Sequence, residues 1–144
     1  MRFQVTEEID AAPEQVWAVL ADVERWPDWT PTMTSVRRLD EGPLGSASSA
    51  EIRQPKLPKT VWRVTRFEPG RRFEWAAGGP GMTTRGDHVV EPLDGGRSRV
   101  TLEIATVGAL AGVMWLLLGS LTRRYVSLEA SSLKRRCEAA HPSR

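Results

Sequence analysis

The sequence predicts an α+β domain in which a curved antiparallel sheet of seven strands wraps around one long C-terminal helix, with two short helices after the first strand. Three observations carry this expectation. Six stretches between Thr32 and Val107 have strand-like alternation, and the segments between them are short and rich in Gly, Pro and Asp, which suits antiparallel hairpin connections. From Ala109 to Ala139, apolar side chains recur at three- and four-residue spacing, the mark of one long amphipathic helix. No other helix is long enough to cover such a sheet, so the sheet must curl around this one and leave an internal apolar cavity between the two.

The elements follow in order. Phe3, Val5 and Ile9 share one side of a period-two pattern and Arg2, Gln4, Thr6 and Glu8 the other, so the chain opens on a strand. The first short helix is capped by Asp10 or an adjacent alanine. It has Pro13 where the first turn needs no donor, Glu14 at its positive end, and Val16, Trp17, Val19 and Leu20 on its apolar face. Val23-Glu24-Arg25-Trp26 forms the second, stopped by Pro27. Strands are expected from Thr32 to Leu39, Ser46 to Gln54, Lys59 to Glu68, Arg71 to Ala77, Met82 to Pro92 and Arg97 to Val107. Turns such as Glu68-Pro69-Gly70, Gly78-Gly79-Pro80-Gly81 and Leu93-Asp94-Gly95-Gly96 separate them. On the long helix, Leu110, Met114, Leu117, Leu121, Tyr125, Leu128 and Ser132 form the stripe assigned to the sheet. Arg123, Arg124, Glu129, Lys134, Arg135, Arg136 and Glu138 form the opposite side.

Composition narrows the function classes. A chain of 144 residues can bury a core without disulfide or metal. Cys137 is its single cysteine, read as a packing residue, which excludes an internal disulfide framework and a CxxC zinc site. Net charge is only +2, and cations alternate with acids in pieces such as Asp22-Val23-Glu24-Arg25, so no nucleic-acid partner is expected. The start has no apolar leader, and the expected location is the cytoplasm. Ile104 to Thr122 is an uncharged run of 19 residues, but its first part alternates like a strand and Gly108 interrupts it. The apolar helical piece from Ala109 to Leu121 is too short to span a bilayer. The whole chain, 1–144, reads as one domain with a disordered tail of a few residues.

Chemistry-bearing residues are few. The two histidines, one beside Pro142, and the absence of HExxH or GxSxG motifs leave no metal or cofactor site in view. His88 is the one internal histidine and stands on a strand where it either faces the concave side as a proton shuttle, or is a hydrogen-bonded structural group or faces solvent. Six tryptophans are the most unusual feature. Trp26 and Trp29 frame the corner beneath the cavity mouth, and Trp62 and Trp75, on neighbouring strands, are placed to sandwich a planar ligand; ordinary core is the alternative for all of them. Met33 follows that corner, and Met114, Leu117, Leu121 and Tyr125 would make the cavity floor. Arg63, Arg66 and Arg85 lie on central hairpins, and any that point inward need an acidic partner or a ligand oxygen.

Ala12-Pro13-Glu14-Gln15-Val16-Trp17, the Trp26-Pro27-Asp28-Trp29 corner, the run from Trp62 to Arg72 and His88-Val89-Val90-Glu91-Pro92 resemble the polyketide cyclase/dehydrase branch of the START-like (SRPBCC, Bet v 1-like) superfamily. The resemblance covers nearly the whole chain and implies a helix-grip fold. It also implies binding of an apolar, planar or ring-bearing small molecule in the cavity, by a monomer or a homodimer. Two further functions come with it. One is an aromatase/cyclase acting on a poly-keto chain, with Arg66 or Arg85 binding a carbonyl and Tyr125 or His88 exchanging a proton. The sequence departs from those members, whose pockets carry tyrosine hydroxyls, because Tyr125 is its single phenol. The other is a lipid carrier that meets the membrane surface through the start of the long helix, with Leu116-Leu117-Leu118 and Arg123-Arg124 as the docking face.

Overall fold

The structure is a computed structural model and describes residues 1–140; the expected C-terminal tail, 141–144, lies outside the described residues. Strand β1 (Arg2–Ile9) is followed by α1 (Pro13–Ala21) and a 3-10 helix (Val23–Asp28). Then come β2 (Ser35–Arg38), β3 (Ser49–Arg53), β4 (Thr60–Glu68), β5 (Arg72–Gly79), β6 (Met82–Leu93) and β7 (Arg97–Val107), and finally α2 (Ala111–Ala140). The strands form one seven-stranded antiparallel sheet in the order β1-β7-β6-β5-β4-β3-β2. This is the helix-grip fold expected from the sequence. Only the β1–β7 pairing joins strands distant in sequence, with Arg2 opposite Ala105 and Ile9 opposite Ser98.

Local chemistry explains the entry into the fold. The Ala12 N–H donates to Gln15 Oε1 at 3.1 Å, so a glutamine on the first turn supplies the cap that the alanine side chain lacks. The 3-10 helix runs through Pro27 to Asp28 rather than stopping at the proline. It closes through the N–H groups of Trp29 and Thr30, which donate to the Trp26 carbonyl at 3.1 and 3.0 Å. Trp26 Nε1–H donates to the Leu20 carbonyl at 3.0 Å and locks this segment against α1.

The sheet faces follow the pleat. Phe73, Trp75 and Ala77 on β5, Gly86, His88 and Val90 on β6, and Val100 and Leu102 on β7 are buried on the concave side. On the convex side, Arg72 and Asp87 form a two-pronged ion pair at 2.9 and 2.5 Å. Strand β4 breaks the alternation. A bulge between Val64 and Arg66 sets Arg66 opposite Glu74 and Phe67 opposite Phe73, so the parity that would have carried Arg66 inward with Val64 is reversed.

Helix α2 starts at Ala111, two residues later than expected, because Gly108 (φ 115) turns the chain and the Leu110 N–H donates to the Gly81 carbonyl at 3.0 Å. Its buried side carries Ala111, Gly119, Val126, Ala130, Leu133 and Cys137, with Ser132 the one residue of the expected stripe that is fully buried as well. The buried stripe is displaced by one residue from the one drawn on the sequence, a rotation of about 100°. The second half of α2 is tied to β1, where Lys134 Nζ donates to the Glu8 carbonyl and Glu138 accepts from the Asp10 N–H at 2.9 Å. Its first half stands off the sheet.

Candidate functional site

Between the first half of α2 and strands β3 to β7 lies a cavity of about 530 Å³, within the range of small-molecule sites. Four indoles line it, those of Trp26, Trp62, Trp75 and Trp115. Trp26 and Trp75 meet edge to face at 5.3 Å, and Trp62 lies 5.9 Å from Trp75. The pleat puts Trp62 and Trp75 inward, and Gly86 opposite Trp75 leaves the space over β6 that the indole occupies. A Cβ at that position would stand 3.2 Å from Trp75 Nε1. Met33, Ile52, Leu102, Ile104, Met114 and Leu118 complete an apolar lining.

Lys59, Asp87, His88, Glu103, Tyr125 and Glu129 are the titratable residues of this lining, and burial shifts two of them, His88 and Glu129. His88 stacks on Phe73 at 4.2 Å, and its Nδ1 lies 3.1 Å from the Phe73 carbonyl. A carbonyl can only accept, so Nδ1 carries a proton, and the lowered pKa leaves the ring neutral with Nε2 unprotonated. Burial pushes its pKa down to about 4, against the weaker upward pull of the Phe73 hydrogen bond and the Asp87 charge. Glu129, midway along α2, accepts from Thr32 Oγ1 at 3.1 Å, and Thr32 is in turn 3.0 Å from the Thr30 hydroxyl. Burial raises its pKa to about 7, and the Thr32 hydrogen bond opposes that rise. The surface that Glu129 retains opens onto the cavity, since it is one of the lining residues.

A family model described as polyketide cyclase/dehydrase and lipid transport matches residues 1–138. The chain belongs to that family. The sequence comparison with curated proteins gave no match. Among solved structures, the chain is similar to the Zhui aromatase/cyclase from Streptomyces sp. R1128 (20% identity, 96% of this chain and 93% of that one, TM-score 0.78). It is also similar to a protein from Thermus thermophilus (18%, 98% and 99%, 0.76). The di-domain ARO/CYC BexL from the BE-7585A biosynthetic pathway is a third (18%, 99% and 48%, 0.73), of which this chain matches about one half. At these identities the likeness is one of fold.

Within this polyketide cyclase/dehydrase fold, the residues singled out from the sequence divide into two groups. Trp26, Met33, Trp62, Trp75, His88, Met114 and Tyr125 line the cavity. The Tyr125 hydroxyl donates to the Pro55 carbonyl, which ties α2 to the β3–β4 loop. The others stand elsewhere. Trp29 packs behind Trp26 at 5.9 Å instead of lining the space. Leu117 is 71% exposed, and Leu121 borders a separate depression of about 210 Å³ beside Pro55 and Lys56; both follow from the rotation of the helix. Arg66 is turned outward by the β4 bulge and bonds Glu68 at 2.8 Å. Arg85 alternates with inward Gly86 and is exposed.

Glu129 and Trp115 are lining residues that the sequence pattern does not single out. Hydropathy groups Glu129 on the solvent side with the cations of α2. The opposite signal is present all the same, because Thr122, Val126, Glu129 and Leu133 form an uninterrupted ladder of four-, three- and four-residue steps on the inward face. Trp115 lies over Gly119, where a Cβ would come within 2.9 Å of the ring. Among the described residues no group of three or more His, Cys, Asp or Glu is placed to hold a metal ion, and no helix is long and apolar enough to cross a membrane.

Proposed function

We propose that this member of the polyketide cyclase/dehydrase family is a cytoplasmic binding domain that holds an apolar, flat, ring-bearing small molecule between its sheet and α2. The observation that carries the reading is the group of four indoles, Trp26, Trp62, Trp75 and Trp115, in the lining of a cavity of about 530 Å³. Rigid indole surfaces favour planar guests through stacking and area burial. The carbonyl-polarising arrangement of an aromatase is not part of this proposal, since Arg66 and Arg85 face away from the cavity and the Tyr125 hydroxyl is committed to Pro55.

The test is calorimetric titration of the protein with 2-naphthylmethanol, in the wild type and in Ala77→Phe. Ala77 lines the cavity and is almost fully buried, so a phenyl ring there occupies the guest's space. Saturable binding that Ala77→Phe abolishes is the expected result. Equal heats for the two proteins would refute the cavity as the site.

A second reading, lipid delivery at a membrane surface, is favoured by one observation. Leu110, Val113, Leu116 and Leu117 are exposed at the start of α2, next to the cavity-lining Met114 and Trp115, and Leu116 is 85% accessible. Flotation with anionic phospholipid vesicles tests it: the wild type should rise with the vesicles and Leu116→Ser/Leu117→Ser should not. Equal flotation of the two would discard it.

A further inference from the structure

Glu129 is a carboxyl group in the cavity lining with a single donor, whereas the other two acidic lining residues, Asp87 and Glu103, are paired with Arg72 and Arg2. Thr32 Oγ1 bonds Oε1 at 3.1 Å, and Oε2 has neither hydrogen bond nor ion pair among the described residues. No cation among those residues answers it. Lys59, which precedes β4 and also lines the cavity, is drawn to Glu51 at 3.7 Å, and Arg72 is held by Asp87 on the far side of the sheet. Arg123 and Arg124, on α2 itself, are exposed, and His88 across the cavity is neutral. A half-buried carboxylate with one hydrogen bond, whose remaining surface opens only onto the cavity lining, gains from a partner that brings donor and charge.

We infer that Glu129 anchors a protonated amine, so that the natural occupant is a flat ring system bearing one basic nitrogen. The inference rests on the cavity being a ligand site. It follows from comparing what each class of guest does for Oε2. A hydrocarbon leaves that oxygen unpaired, and an acidic guest adds a second negative charge. A hydroxyl supplies one donor without compensating charge. An ammonium group supplies donor and charge together, in a charge-assisted bond stronger than a neutral one. Trp62 and Trp115, the half-buried indoles of the same lining, attract cations as well, through the ring quadrupole.

Two probes of equal shape decide the matter: 2-naphthylmethylamine and 2-naphthylmethanol, titrated calorimetrically into the full chain at pH 8. The wild type should bind the amine at least about tenfold more tightly than the alcohol, and Glu129→Gln should reduce that preference to within about twofold. A wild type that binds the alcohol as tightly as the amine overturns the amine assignment and leaves the cavity reading standing. A preference that survives in Glu129→Gln also overturns it. Binding of neither probe overturns both. If Glu129→Gln fails to fold, the wild-type ratio is measured again at pH 5: a preference that shrinks there, where the Glu129 carboxyl holds its proton and the amine stays charged, supports the assignment, and an unchanged preference refutes it.

Discussion

Replacing Glu129 by Gln should make the protein more stable, and increasingly so as pH rises. The side chain keeps its size and an oxygen to accept from Thr32 Oγ1, but it loses the ability to ionise. In the fold, the Glu129 carboxyl titrates at about 7 against 4.5 for a free glutamate, because burial penalises its charge. Between those two values the native chain holds a proton that the unfolded chain has released. Stability from this group is therefore full below 4.5 and is lost as pH climbs through 7. At about 1.4 kcal/mol per pKa unit, the loss is roughly 1 kcal/mol by pH 5 and roughly 3 kcal/mol by pH 8. Glutamine carries no such loss, so the advantage of the variant should grow by about 2 kcal/mol between pH 5 and pH 8. For a chain of this size that is about 6 °C in Tm. Scanning calorimetry of both proteins across that range measures it. Parallel Tm curves from pH 5 to pH 8 would refute the burial of an ionisable Glu129.

The same variant exposes a second titration. His88 falls to about 4 in the fold from 6.5 free, so its stabilisation is present above 6.5 and is lost as pH falls toward 4. In the wild type this slope opposes that of Glu129; in Glu129→Gln, urea titrations should show stability climbing by up to about 3 kcal/mol from pH 4 to 6.5, and a flat profile would count against a buried neutral His88. Gly108→Ala should lower stability by roughly 2–4 kcal/mol in denaturant titration. The reason is the positive φ of 115 and a Cβ that would press into the Gly81 carbonyl oxygen, and an unchanged midpoint would contradict that contact. Trp26→Phe leaves the Leu20 carbonyl without its indole donor and should cost about 1–3 kcal/mol by the same assay, with less than about 0.5 kcal/mol arguing against the bond.

Strand positions are readable because their cues are local. The β7 bounds, Arg97–Val107, coincide with those expected, since period-two alternation and the Leu93-Asp94-Gly95-Gly96 turn are both written in consecutive residues. The inward tryptophans Trp62 and Trp75 are legible for the same reason: the pleat assigns each residue a face once its strand is known. Arg66 escapes this logic because one extra residue in β4 reverses that parity, and the sequence there carries no glycine or proline to announce it. Leu117, Leu121 and Glu129 are misplaced together by a single error in helix phase. Over Val113 to Leu118 the helix is apolar almost all round, so hydropathy alone admits two stripes one residue apart.

By itself, then, the sequence determined the order of elements, the antiparallel sheet, the single long helix and the need for a cavity between them. Each of these follows from backbone periodicity, from turn chemistry and from the burial of apolar area. The rotation of α2 and the bulge of β4 emerge only in the packed fold, and with them the placing of Glu129 and a neutral His88 in the cavity lining and of Arg66 and Arg85 outside it. Those choices depend on how residues far apart in the chain pack. The fit of Trp75 over Gly86, of Trp115 over Gly119 and of Glu129 against Thr32 selects one register among several that the local pattern permits.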